Sequence, residues 1–158
     1  MQMKEVDAMN PDLVYELYEQ YKTGIFRFAL SILKDAQLAE DVLQETFLRI
    51  LSGRGHPAPG KEQAFLYRVA RNICYDILRE RKRETDEDAH ATAQPENTWE
   101  FVDLIAPLSQ KEQEIVALKI LGGLTHREIA QVLHITTAAA KKRYERAMEK
   151  LRTEMEVF

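Results

Sequence analysis

Residues 125–146 read THREIAQVLHITTAAAKKRYER, and the order of signals in this stretch decides the fold. Thr125 followed by Glu128 is a T-x-x-E capping box, in which hydroxyl and carboxylate take up the amide protons left free where a helix begins. A short helix is predicted from there to about Leu133. His134-Ile135-Thr136 then turns the chain, and a second helix runs from about Thr137 to Met155. Ile129, Ala130, Leu133, Ile135, Ala140 and Ala147 supply the inner face, with Ala130 small enough for two helices to cross closely. Short helix, tight turn and basic second helix spell helix-turn-helix. In that motif the second helix lies in the major groove of DNA, its first side chains at base edges and its Lys and Arg at phosphates. A helical hairpin with a merely solvated basic stripe is the bland alternative, and it explains the capping and the tight turn less well.

Working upstream, Ser109 and Glu112 make another capping box, opening a helix that ends at Gly122-Gly123. Before it, Trp99, Phe101, Leu104 and Ile105 suggest a short helix stopped ahead of Pro107. At the other end, Asn10-Pro11 reads as an N-cap with proline in the first turn. Leu13, Leu17, Tyr21, Ile25, Phe28 and Ile32 then recur at helical spacing to about Leu33. Asp35 caps a second helix with Leu38, Val42, Leu43, Phe47, Ile50 and Leu51 inward, and Gly53, Gly55, Pro57, Pro59 and Gly60 enforce a loop. A third helix is expected from about Lys61 to Arg83, burying Phe65, Leu66, Val69, Ala70, Ile73 and Ile77. Nothing alternates with period two, so the fold class is all-α. The expected organisation is two small helical domains, 1–83 and 99–158, joined by an acidic flexible linker at 84–98.

The 158 residues carry a formal net charge of −4 and are 45% hydrophobic, enough apolar content to fold. Taken whole, an acidic balance argues against nucleic acid. Its distribution reverses the argument. Leu66 to Arg83 holds six basic residues against two acidic, His134 to Arg152 again six against two, and Glu84 to Glu100 six acidic with no Lys or Arg. Because charges are screened over about 8 Å at physiological salt, each face presents its own local charge. The single cysteine, Cys74, excludes an internal disulfide, and the histidines lack metal-ligand spacing, so no metal or other cofactor is expected. No apolar run is long enough to span a bilayer, and the acidic start Met1 to Asn10 lacks the features of a signal peptide. The expected compartment is the cytoplasm.

Three further features bear on chemistry. On the third helix Tyr67, Asn72 and Tyr75 interleave with Arg68, Arg71 and Arg79. Aromatic rings stack on unpaired bases at about 1–3 kcal/mol each while Arg tracks phosphates, which suits a separated strand. Equally, Tyr67 and Tyr75 can seal the edge of a core. The second helix carries Glu40, Asp41, Gln44 and Glu45 beside its apolar face. A bundle-type metal site requires Glu-x-x-His, and no histidine lies within the first three helices. That leaves a protein-docking face or a solvated acidic one. Cys74 reads as a small core residue and His134 as a turn residue.

The runs AEDVLQETFLR (39–49) and AFLYRVARNICYDILR (64–79), followed by Leu108 to Leu151, resemble an extracytoplasmic-function (ECF) sigma factor, a small relative of the bacterial sigma-70 family. The resemblance covers both lobes in order. It implies sigma region 2 at about 11–83, region 4 at about 101–155, and no catalytic activity. Asp41, Gln44, Glu45, Phe47 and Leu48 match the positions that dock on the clamp helices of the RNA polymerase core enzyme. Phe65, Arg68, Asn72, Tyr75, Asp76 and Arg79 match the face that engages the minus-10 element and its melted strand. Thr136, Thr137, Ala138, Ala139, Lys141, Lys142, Glu145 and Arg146 match the minus-35 contacts. The resemblance further implies promoter DNA as a partner, an anti-sigma factor as a regulator in a stress or envelope response, and no stable membrane association of the chain's own.

The chain departs from the family pattern at several points. Phe65 stands where tryptophan is usual and His134 where the turn glycine is usual, which requires a left-handed backbone or a changed turn. Ala138, Ala139 and Ala140 replace glycine, threonine and valine, and Lys142 replaces a small residue. Two other readings are an operator-binding regulator, which needs a sensor or dimerisation domain, and a polymerase-binding protein without promoter recognition.

Overall fold

A computed structural model describes residues 10–55, 57–83 and 99–156; the expected linker at 84–98 and the acidic N-terminus lie outside the described residues. The elements are α1 (Pro11–Leu33), α2 (Ala36–Leu51), α3 (Glu62–Arg83), α4 (Glu100–Ile105), α5 (Gln110–Ile120), α6 (His126–Leu133) and α7 (Thr137–Glu156), with no strand among the described residues.

The first three helices form one bundle. Asn10 caps α1, the Asp12 amide donating to its side-chain oxygen at 2.7 Å. Pro11 follows in the first turn, where its missing N–H leaves nothing unpaired. The helix stops at Lys34, which adopts a left-handed φ of 55° and whose N–H donates to the Leu30 carbonyl at 2.8 Å. Asp35 then accepts from the Leu38 amide at 3.0 Å and starts α2 immediately. So short a link folds α2 back antiparallel along α1. Tyr18, early in α1, therefore meets Phe47, late in α2, with ring centroids 5.2 Å apart and the planes near perpendicular. α3 lies against both, burying Leu66, Tyr67, Ala70 and Ile73. The Tyr67 ring meets Phe28 edge-on at 5.4 Å.

Both predicted capping boxes form in the second lobe, Ser109 with Glu112 and Thr125 with Glu128, each side chain paired with the other's backbone amide. α6 ends on His134 at φ 59°, the left-handed alternative expected there. The Ile135 amide reaches back to the Ala130 carbonyl at 3.0 Å and tightens the turn. Ala140 and Ala147, both fully buried, let α7 cross close to α5 and α6.

The lobes are not independent in space. α5 packs against α1 and α6 against α3, and the buried side chains of both halves form one continuous apolar core.

Candidate nucleic-acid interface

On α7 the helical repeat sorts the residues into two faces. Ala140, Ala147 and Leu151 are buried, whereas Thr137, Ala138, Lys141, Lys142, Glu145 and Arg146 are exposed and Ala139 is half-buried between the two sets. Thr136 is exposed, and its hydroxyl accepts from the Ala139 amide at 3.0 Å, so it caps α7. Lys142, Arg143 and Arg146, with Ser109, Lys111 and Glu112 of the α5 start, border a crevice of about 370 Å³. The Glu112 carboxyl is held below the usual range by the Ser109 backbone N–H and then by Lys150, 2.9 Å away. The His126 ring of α6 lies 5.6 Å from the Tyr144 ring of α7.

On α3 Arg68, Asn72, Asp76 and Arg79 are all exposed along one stripe, and Asp76 pairs with Arg79. The Arg68 guanidinium lies 5.7 Å over the half-buried ring of Phe65, so the ring standing at the usual tryptophan position is held in place by a neighbouring cation. The two tyrosines depart from this stripe. Tyr67 is 1% exposed and belongs to the core, which resolves the choice its spacing left open. Tyr75 is half-buried and donates to Glu114 Oε1 at 3.2 Å; burial, then the Glu114 charge, push its hydroxyl up to about 12. Its ring is therefore not free to meet a base while the lobes are packed.

On α2 Gln37, Asp41, Gln44 and Leu48 form an exposed line, with Gln37 donating to Asp41 at 3.3 Å and Leu48 53% exposed. Glu45 is half-buried between Arg49 at 3.0 Å and Arg54 at 3.5 Å. Phe47, grouped with this face from its sequence position, is buried at 5% exposure. Its ring points to Tyr18 and underpins the face rather than forming it. Cys74 is fully buried, and burial followed by the nearby Glu114 charge pushes its thiol well up.

Sequence reasoning missed Glu114. It is 4% exposed and accepts from both Arg71, whose side chain is 23% exposed, and Tyr75. A carboxylate in helical phase with the buried Ala117 and Leu118 of α5 is the signal that a cationic partner must cover it. Among the described residues no group of His, Cys, Asp or Glu is arranged to hold a metal ion, and no helix is long and apolar enough to cross a membrane.

A three-helix bundle packed on a helix-turn-helix defines a two-lobed, all-α protein of the DNA-binding helix-turn-helix class. The sigma-70 region 2 family matches residues 17–84 and sigma-70 region 4 matches residues 98–151. The ECF RNA polymerase sigma factor SigM of Bacillus subtilis is 30% identical over 149 residues, 87% of this chain and 91% of SigM. CarQ of Myxococcus xanthus, an RNA polymerase sigma factor, is 28% identical over 153 residues, 89% of this chain and 88% of its own. The chain belongs to the ECF sigma factors of the sigma-70 family. Two solved structures share the fold. The sigma factor RpoE in complex with the anti-sigma factor NepR, from Bartonella quintana, superposes with a TM-score of 0.78 at 20% identity, covering 94% of this chain and 99% of that one. CnrH in complex with the cytosolic domain of CnrY gives 0.71 at 21% identity, covering 94% and 90%. As a sigma factor, the chain directs RNA polymerase core enzyme to promoters and initiates transcription there.

Proposed function

We propose that the three faces divide this work. Asp41, Gln44, Glu45 and Leu48, resting on Phe47, dock on the clamp helices of core polymerase. Phe65, Arg68, Asn72, Asp76 and Arg79, joined by Tyr75 when it is released, hold the minus-10 element and its melted strand. Thr137, Ala138, Ala139, Lys141, Lys142, Glu145 and Arg146, with Thr136 at their edge, read the minus-35 element as duplex. Residues 1–83 and 99–158 act as the two functional domains. The chain works in the cytoplasm, performs no catalysis itself, and is held in check by an anti-sigma partner, a reading supported by the complexes of RpoE with NepR and of CnrH with CnrY, which share this fold.

The observation that carries this reading is the sorting of α7. One helix buries Ala140, Ala147 and Leu151 and leaves its polar and basic side chains exposed in the first three turns, the part a major groove admits. Purified chain added to core polymerase on a library of genomic fragments should yield transcripts from discrete start sites sharing two upstream elements. Polymerase binding without discrete starts would remove the promoter assignment, and no polymerase binding would remove the docking assignment.

A further inference from the structure

Beside the apolar contacts that join the lobes, their seam carries a set of polar contacts drawn mostly from α3. Glu114 of α5 takes hydrogen bonds from Arg71 and from Tyr75, and the Arg71 guanidinium stacks over the Tyr75 ring at 4.8 Å. Nearby, the Tyr67 hydroxyl lies 3.4 Å from the Leu121 carbonyl, and Gln63 donates to the carbonyl of Gly122. Lys34 reaches Gln113 at 3.1 Å. Tyr67 fits because two glycines flank its phenol. A Cβ on Gly24 would come within 2.3 Å of the Tyr67 oxygen, and one on Gly122 within 3.3 Å of its Cζ. Further along, Gln131 and Val132 of α6 close one side of a crevice of about 210 Å³ whose other side includes Phe65 and Arg68.

This packed arrangement is incompatible with the two-element reading. Minus-10 and minus-35 elements lie about 25 base pairs apart, or about 85 Å at 3.4 Å per pair. A compact chain of this length has a radius of gyration of about 15 Å, hence a diameter of about 40 Å. The lobes must part for both elements to be held at once. The sixteen steps from Arg83 to Trp99 can reach at most about 55 Å, so the covalent chain allows it.

We propose that Glu114 is an intramolecular competitor of the promoter strand: its carboxylate occupies Arg71 and Tyr75 in the closed chain, and these two side chains join the already exposed stripe of Arg68, Asn72, Asp76 and Arg79 only when Glu114 withdraws. The chemistry is that of the ligand displaced, an anionic oxygen held by a guanidinium stacked on an aromatic ring, which is how a phosphate with its adjoining base would be held. Arg71 thereby joins the strand-binding residues. Tyr67 in its glycine notch sets how closely the lobes approach and so how tightly Glu114 is delivered. This regulation rests on the sigma-factor reading of α3, and its test does not use polymerase.

Two variants separate the seam from the fold. Glu114→Gln keeps the shape but removes the charge. Gly24→Ala leaves α1 intact, alanine being the better helix former, yet crowds Tyr67 toward Gly122 and wedges the lobes apart. Gly122→Ala is unsuitable because its Cβ would also come within 2.7 Å of the Leu118 carbonyl of its own lobe. The measurements are small-angle scattering, helical content by circular dichroism, and affinity for a 20-nucleotide oligothymidylate by fluorescence anisotropy. Both variants are expected to keep wild-type helicity, enlarge the radius of gyration by several Å, and bind the oligonucleotide about tenfold more tightly, the factor by which closure is taken to deplete the competent form. Adding Arg71→Ala to Glu114→Gln should return the affinity to the wild-type level. Should Glu114→Gln unfold, Gly24→Ala decides alone. Expansion without tighter binding, or tighter binding that survives Arg71→Ala, overturns the competitor role. Variants that stay compact with wild-type affinity overturn the latch, while transcription by the wild-type chain still stands or falls separately.

Discussion

The hydroxyl of Thr136 accepts a hydrogen bond from the backbone amide of Ala139 at 3.0 Å, which makes the residue before the recognition helix its N-cap. Thr136→Ala removes that acceptor, and losing a cap of this kind costs about 1 kcal/mol. A lower thermal midpoint is expected for Thr136→Ala and a near wild-type value for Thr136→Ser, measured by circular dichroism. If Thr136→Ala instead weakens minus-35 binding with no change in midpoint, the hydroxyl serves DNA rather than the helix.

Lys141 and Arg146 are exposed on the same face of α7. Replacing both with alanine should reduce the slope of log affinity for a minus-35 duplex against log salt by about 2, at roughly 0.9 per phosphate contact. Association with core polymerase should be unchanged. An unaltered salt slope would take these side chains off the phosphates.

Adjacent residues on α2 should behave oppositely. Phe47 is buried against Tyr18, so Phe47→Ala is expected to cost about 3–5 kcal/mol in a denaturant titration. Leu48 is 53% exposed, and Leu48→Ala should change stability by no more than about 0.5 kcal/mol. Its effect belongs to binding, where a loss of about tenfold in polymerase affinity is expected if this side chain lies in the docked interface. Equal affinity for Leu48→Ala and wild type would move the docking face elsewhere on the bundle.

His126 opens α6 with its Nδ1 buried and no hydrogen-bond partner among the described residues. Burial, then Lys119 and Lys141, lower its pKa below the ordinary 6.5, with Glu145 opposing. The unfolded chain therefore binds a proton near pH 6.5 that the folded chain refuses, and stability falls as pH drops from there to the lowered folded value. Thermal midpoints measured between about pH 7.5 and about pH 5.5 should decline less for His126→Gln than for wild type. Identical declines would assign the pH dependence to other groups.

Local rules were enough for most of the helices. Asn10-Pro11, Asp35 and the two capping boxes are short-range chemistry, and each begins a helix where its residues say it should. His134 shows the same rule under tension, a non-glycine residue taking a left-handed φ because the motif demands a turn there. What periodicity does not encode is which apolar face covers which. Tyr67 and Tyr75 share a helix side with Arg71, and only the arrival of α5 decides that one ring enters the core while the other meets a carboxylate. Glu114 stayed hidden for the same reason, since its partners lie 39 and 43 residues away. The exposure of Arg68, Asn72, Asp76 and Arg79 along one side of α3 needed no such partner and was legible from helical spacing, whereas the minus-10 role proposed for them rests on the family resemblance.

Cys74, fully buried with its thiol pushed well up, holds almost no thiolate at neutral pH, and thiolate is the form that oxidants and alkylating reagents attack. In the folded chain the one cysteine is thus shielded from hydrogen peroxide and iodoacetamide, by burial and by the suppressed thiolate alike. The same shielding makes the residue a clock: modification proceeds only through openings of the core around α3, so its rate counts how often that helix lets go.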